Sequence, residues 1–255
     1  MTIHLLWQRL RQEAILVWVI AEKDIRLYYA KPPIVLSGIL LPFVLFLSWA
    51  VGRTQPTSTL ISGLAAIAVF FTSSSIGPVI IPWEKTAHTF ERLLTAPLSL
   101  TTVLLGKTLA GMIFGAGVAF VALLIGSLAF GAQVTNWALL VLSLLLAAGA
   151  CSALGVLFST LPRRDMGAVM MLSMLVRWPL LFISGLFIPL GAMGEWGQKL
   201  AWLSPLTFAN DVLHGAMGNS PYYAWWLDLG MLAVFWGIFL WAGLQLHELG
   251  REKGI

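Results

Sequence analysis

Two uninterrupted apolar runs limit what this chain can become. Trp137–Phe158 carries no charged residue, and Val103–Phe130 carries only Lys107. A stretch of about 18 or more such residues is long enough to cross the hydrocarbon layer of a bilayer as a helix. Comparable runs recur at Pro33–Val51, Leu60–Ile81, Met166–Leu190 and Ala224–Leu246. They are too long and too uniformly apolar for barrel strands, and inside lipid only a helix satisfies its own backbone. The expected fold is therefore an all-α integral membrane protein with six transmembrane helices, read as one transmembrane domain over residues 1–255.

Composition agrees, since 59% of the residues are hydrophobic and only 10% are charged. The net charge of +4 then bears on membrane topology, and no nucleic-acid partner is expected. Lysine and arginine mark the cytoplasmic side of such proteins. Arg9, Arg11, Lys23, Arg26, Lys31, Lys85, Arg92, Lys107, Arg163, Arg164, Arg251 and Lys253 fall on one side of the expected spans; Arg53 and Lys199 fall on the other. This places both termini in the cytoplasm of a multi-pass protein of the inner or plasma membrane.

The segments between the runs are also patterned. In Met1–Lys31, Leu6, Leu10, Ala14, Val17, Ala21, Ile25 and Tyr28 share one helical face, with Arg9, Arg11, Gln12, Lys23 and Asp24 off it. That pattern predicts an amphipathic helix in the membrane interface, with Pro32 and Pro33 stopping it. Pro82–Ser99 reads as a second amphipathic helix, bracketed by Pro82 and Pro97. Trp83, Ala87, Phe90 and Leu94 form its apolar stripe, with Glu84, His88, Glu91 and Arg92 elsewhere. Gly191–Tyr223 is too apolar for a solvated loop and too interrupted to span. It predicts an external re-entrant hairpin turning near Ser204-Pro205.

Few residues suggest chemistry. Gly106-Lys107-Thr108 lacks the earlier glycine of a phosphate loop, because Thr101 stands there, and Lys107 reads as an interfacial anchor. His4, His88, His214 and His247 are scattered, and Cys151 is the lone cysteine, so no metal site is expected. Gly111 and Gly115 form a GxxxG, a weak signal of close helix packing. Arg177 is the sharpest residue, alone among the apolar side chains of Met166–Leu190. Such an arginine needs carbonyl or acidic partners, or a wet cavity, and it is a candidate for the translocation path.

Glu84-Lys-Thr-Ala-His-Thr89-Phe-Glu91-Arg92-Leu93-Leu94-Thr-Ala-Pro97 resembles the cytoplasmic loop of ABC-2 type permeases, the membrane halves of ATP-binding-cassette exporters. Glu84, Thr89, Glu91, Leu93 and Pro97 match, whereas His88 stands where the family usually has glycine. Ser184-Gly185-Leu-Phe-Ile-Pro189 and Trp202-Leu-Ser-Pro205-Leu-Thr-Phe-Ala-Asn210-Asp211 resemble that family's fifth span and external hairpin. The resemblance implies a homodimer that recruits two copies of a separate ATPase subunit. ATP and magnesium would sit on that partner, leaving no cofactor and no catalytic residue in this chain. Trp83, Glu84, Thr89, Phe90, Glu91, Arg92 and Leu94 would form the coupling helix, and Pro205, Asn210 and Asp211 would mark the hairpin. The implied function is outward movement of an amphiphilic or hydrophobic small molecule or lipid. A lipid-linked polysaccharide exporter and a non-transporting scaffold or channel are the alternatives.

Overall fold

A computed structural model describes residues 2–29, 57–75, 77–87, 98–160 and 166–252, together with residues 40, 42–45, 47, 48 and 89. Among the described residues every regular element is helical. Helix α1 (Thr2–Asp24) runs into a π-helical turn, Ile25–Tyr29, and is followed in order by α2 (Thr57–Ser74) and α3 (Gly77–Thr86). Next come α4 (Leu100–Phe130), α5 (Trp137–Phe158) and α6 (Met166–Phe182). The chain closes with α7 (Glu195–Ala201), α8 (Pro205–Ala216) and α9 (Trp225–Glu252).

The long helices start and stop where local chemistry requires. The Ser99 hydroxyl caps α4 by accepting from the Thr102 amide at 3.0 Å, and Asn136 caps α5 from Leu139 at the same distance. Each satisfies a first-turn donor that has no partner within the helix. Helix α4 ends at Gly131, whose φ of 69° is left-handed and favours glycine.

At the centre stands α2, buried at every position from Ile61 to Ser74. It packs against α4, α5 and α8, and α9 lies outside α5 and α8. Gly111 and Gly115 let α4 approach closely. A side chain at Gly115 would collide with Ser73, and one at Gly111 would meet Ser152. The GxxxG therefore serves as a packing face, close to the Ser73 hydroxyl at the end of α2 and the Ser152 hydroxyl of α5.

Among the described residues four helical stretches are long and apolar enough to cross a membrane: Thr57–Glu84, Leu100–Leu128, Trp137–Phe158 and Trp225–Leu249. The expected span Pro33–Val51 lies mostly outside the described residues. The expected span Met166–Leu190 is helical only as far as Phe182, and Gly185 follows with a left-handed φ of 81°. Its seventeen helical residues reach about 26 Å, the short end of what crosses a roughly 30 Å hydrocarbon layer.

Pro82 is corrected. It does not open a helix but sits inside α3, which begins at Gly77. Proline's missing amide hydrogen is tolerated in membrane helices where neighbours support the freed carbonyl. The Gly191–Tyr223 segment is a helix–turn–helix, with α7 and α8 joined through Trp202–Ser204 and Pro205 in the first turn of α8.

The packing at Gly115 makes a prediction. Gly115→Leu should lower the thermal unfolding midpoint of the detergent-solubilised protein, the overpacking costing about 1–3 kcal/mol. Gly117→Leu, two residues away where an added side chain meets nothing, should leave it unchanged. Equal effects would contradict the packing.

Candidate coupling site

The residues with most chemistry gather where α1, α3 and α4 meet. On α1, Ile20 and Ala21 bury one side against α4, which carries Asp24, one turn beyond Ile20, into the same contact. Glu84 comes from the last turns of α3, and Lys107 from the third turn of α4. Asp24, Glu84 and Lys107 are all buried, at 1%, 3% and 5% exposure.

These side chains form one neutral cluster. The Lys107 ammonium lies 2.6 Å from Glu84 Oε2 and 3.1 Å from Asp24 Oδ2. The Lys23 ammonium closes the other side, 2.8 Å from Glu84 Oε1 and 2.9 Å from Asp24 Oδ1. The Tyr28 hydroxyl donates to Glu84 Oε1 at 3.4 Å. Each carboxylate bridges both lysines, so the arrangement is a ring of charges rather than two separate pairs. Burial would push the Lys23 ammonium down, but the Asp24 charge and the hydrogen bonds the ammonium donates to Glu84 and Asp24 outweigh burial and hold it above its ordinary value.

Glu84 is thereby corrected. It is buried, not exposed on an outer face, and it ties the root of the loop to α1 and to α4. Lys107 is likewise no free interfacial anchor, and Asp24 does not lie on a solvated face. Lys23, Asp24 and Tyr28 were not legible as site residues. The available signal was the spacing of Asp24 beyond buried Ile20 and Ala21.

The other expected coupling residues are only partly in view. Trp83 is 42% exposed and stacks at a tilt on Tyr28, with ring centroids 5.4 Å apart. The Thr89 hydroxyl donates to the Glu84 carbonyl at 3.2 Å. Phe90, Glu91, Arg92 and Leu94 lie outside the described residues.

Arg177 is 1% exposed. Its guanidinium donates to the Ser74 carbonyl and, at 3.1 Å, to the Ser75 hydroxyl, and it lies 5.8 Å over the Phe158 ring.

In the hairpin, Pro205 starts α8 and Asn210 is half-buried on it. The two oxygens of buried Asp211 accept the Tyr222 and Tyr223 amides at 2.8 and 2.7 Å. Burial pushes the Asp211 carboxyl up, and those amides and His214 pull it only partly back.

The model of the ABC-2 type transporter family matches residues 15–217. No curated protein matches the chain. The chain belongs to the ABC-2 type transporter family, and it is a multi-pass permease subunit of an ABC transporter, the component that works with an ABC ATPase subunit.

The ring makes a prediction. Removing one member of a buried ion pair strands its partner and costs about 3–5 kcal/mol. Lys107→Met should therefore lower the unfolding midpoint sharply, whereas Lys107→Met with Glu84→Gln should recover part of the loss. Additive losses in that double variant would contradict the ring. Asp211→Asn supplies a second test: one amide loses its carboxylate oxygen, at about 1–3 kcal/mol, and the hairpin should loosen in proteolysis.

Proposed function

We propose that this chain is an exporter permease with six spans and cytoplasmic termini, pairing with a second copy and with two ATPase subunits that hold ATP and magnesium. The observation that carries the reading is the buried ring Lys23–Asp24–Glu84–Lys107. It fastens the cytoplasmic end of the second span to α1 and α4, so a push on the Pro82–Ser99 loop would reach three elements together. In that loop Trp83, Phe90 and Leu94 would present apolar surface to the ATPase. Thr89, Glu91 and Arg92 would set the register of docking. Pro205, Asn210 and Asp211 would hold the external hairpin that closes the outer end of the path.

The substrate class we favour is an amphiphilic or hydrophobic small molecule or lipid. Its support is the broad exposed apolar surface of α4, α6 and α9, including Leu128, Met171, Leu175 and Trp241. A substrate already dissolved in the bilayer could approach through such a surface.

Reconstitution tests this. The permease should co-purify with an ATPase encoded beside it, and proteoliposomes of the complex should extrude a cationic amphiphilic dye or a short-chain fluorescent phospholipid when ATP is added. Phe90→Asp or Glu91→Lys should abolish ATP-driven extrusion while leaving the permease inserted. Failure to bind any ABC ATPase, or full extrusion by both variants, would overturn the reading.

A further inference from the structure

The first turn of α9 carries an acid that nothing answers. Asp228 is fully buried, and neither of its oxygens has a hydrogen-bond partner among the described residues. It shares a face of α9 with buried Leu232 and with Phe235, at the i, i+4, i+7 spacing, and Phe235 meets Phe208 of α8. Asp211 of α8 is buried too, close enough for the two charges to act on each other. Both Asp211 oxygens are already taken by the Tyr222 and Tyr223 amides. An ionisable group within a membrane helix is costly and commonly marks the route of an ion or a substrate.

The nearby bases do not supply a counter-charge. Among the described residues no ion pair includes Asp211 or Asp228. Lys199, the basic residue of α7, lies 5.3 Å over the Trp196 ring instead. Burial pushes the His214 imidazole below its ordinary value and Asp211 pulls it only partly back, so the ring is uncharged at neutral pH.

Aromatic rings gather beside the two acids. Trp202 stands edge-on to Phe208 and to Tyr223, with centroids 5.5 and 5.6 Å apart. Phe208 lies 5.9 Å from Tyr223 and 6.1 Å from Phe235. The charges of both acids act on Tyr223, which places the rings and the carboxylates together. The set runs from the surface inward: Trp202, in the turn before α8, is 40% exposed, whereas Phe208 is fully buried. A ring face is negative and attracts a cation, most strongly where water is excluded. The rings and the acids therefore favour the same sign of charge, and the rings add apolar surface for attached hydrocarbon.

We propose that Asp228, with Asp211 and the rings of Trp202, Phe208, Tyr223 and Phe235, binds a lipophilic organic cation between the α7–α8 hairpin and α9. Asp228 supplies the counter-charge and the rings supply cation–π and apolar contact. The rings touch one another here, so Trp202, which is part-exposed and outside any helix, turns aside to admit the ligand. A hard metal ion would find too few oxygens, because those of Asp211 are taken and the ring faces offer none. Resting on the exporter reading for its outward route, the site narrows that reading's substrate to one sign of charge.

The experiment uses the permease–ATPase complex in nanodiscs without nucleotide. The probe is radiolabelled tetraphenylphosphonium, and tetraphenylborate, of the same shape and opposite charge, is measured separately. Binding to empty nanodiscs is subtracted. The parent should bind the phosphonium saturably and the borate not at all. Asp228→Asn should weaken phosphonium binding at least about tenfold. Its unfolding midpoint should stay at or above the parent's, because a buried acid without a partner has been replaced by a neutral group of the same shape. Trp202→Leu should weaken binding about three- to tenfold. Glu195→Gln, an exposed acid on α7, should leave the affinity unchanged. A parent without saturable binding, equal binding of the borate, or parental affinity in Asp228→Asn would overturn the site. If Asp228→Asn lowers the midpoint, Trp202→Leu on the exposed rim decides, and parental affinity there would overturn the site. Saturable binding by a permease that recruits no ATPase would keep the site and count against the exporter reading.

Discussion

Lys107 and Glu84 face each other at 2.6 Å in a place almost without water, and the joining of α1, α3 and α4 depends on that contact. Neither ion is tolerable there alone, because desolvating a single charge costs several kcal/mol. With Lys23 and Asp24 the ring is neutral, and each member is held by two oppositely charged neighbours. The members come from α1, α3 and α4, so the three helices cannot separate without exposing or stranding charge. Apolar packing of Ile20 against Ile81, Val103 and Leu104 surrounds the ring and excludes water from it. The electrostatic and hydrophobic terms therefore favour the same arrangement.

A second polar seam serves the middle of the molecule differently. Ser73, Ser74, Ser75, Ser152 and Thr108 bring hydroxyls into a core otherwise made of alanine, leucine and phenylalanine. Most of these hydroxyls bond to helix carbonyls, as Ser152 does to Thr108 at 2.8 Å. They fit beside the small residues Gly111, Gly115 and Gly155, where backbones approach closely. The ring is a fixed joint between helices. The seam lines the close approach of α2, α4 and α5, and the Arg177 fork closes its edge on the Ser74 carbonyl and the Ser75 hydroxyl.

Much of the fold was legible because burial in lipid is written as composition. Trp137–Phe158 begins and ends where its apolar run does, and Pro205 opens α8 as a proline in a first turn should. The misreadings share a cause. Pro82 opens a helix or lies within one depending on neighbours that sequence spacing does not show. The end of α2 at Ser74 was hidden in an apolar run because serine and glycine are ordinary in membrane helices. Lys23 and Glu84 are 61 residues apart, and Asp24 and Lys107 are 83 apart, so local periodicity could not pair them. Arg177 was singled out correctly as needing partners. Those partners were backbone and hydroxyl groups, which no charge count reveals.

The central claim is that the charge ring makes α1, α3 and α4 one unit. Amide hydrogen exchange on Glu84→Gln tests it directly, because the altered residue belongs to α3 alone. The account predicts faster exchange together in residues 18–28 of α1 and its π turn and in residues 100–110 of α4, as well as in α3. Exchange that accelerates only within residues 77–87, with α1 and α4 protected as in the parent, would contradict it.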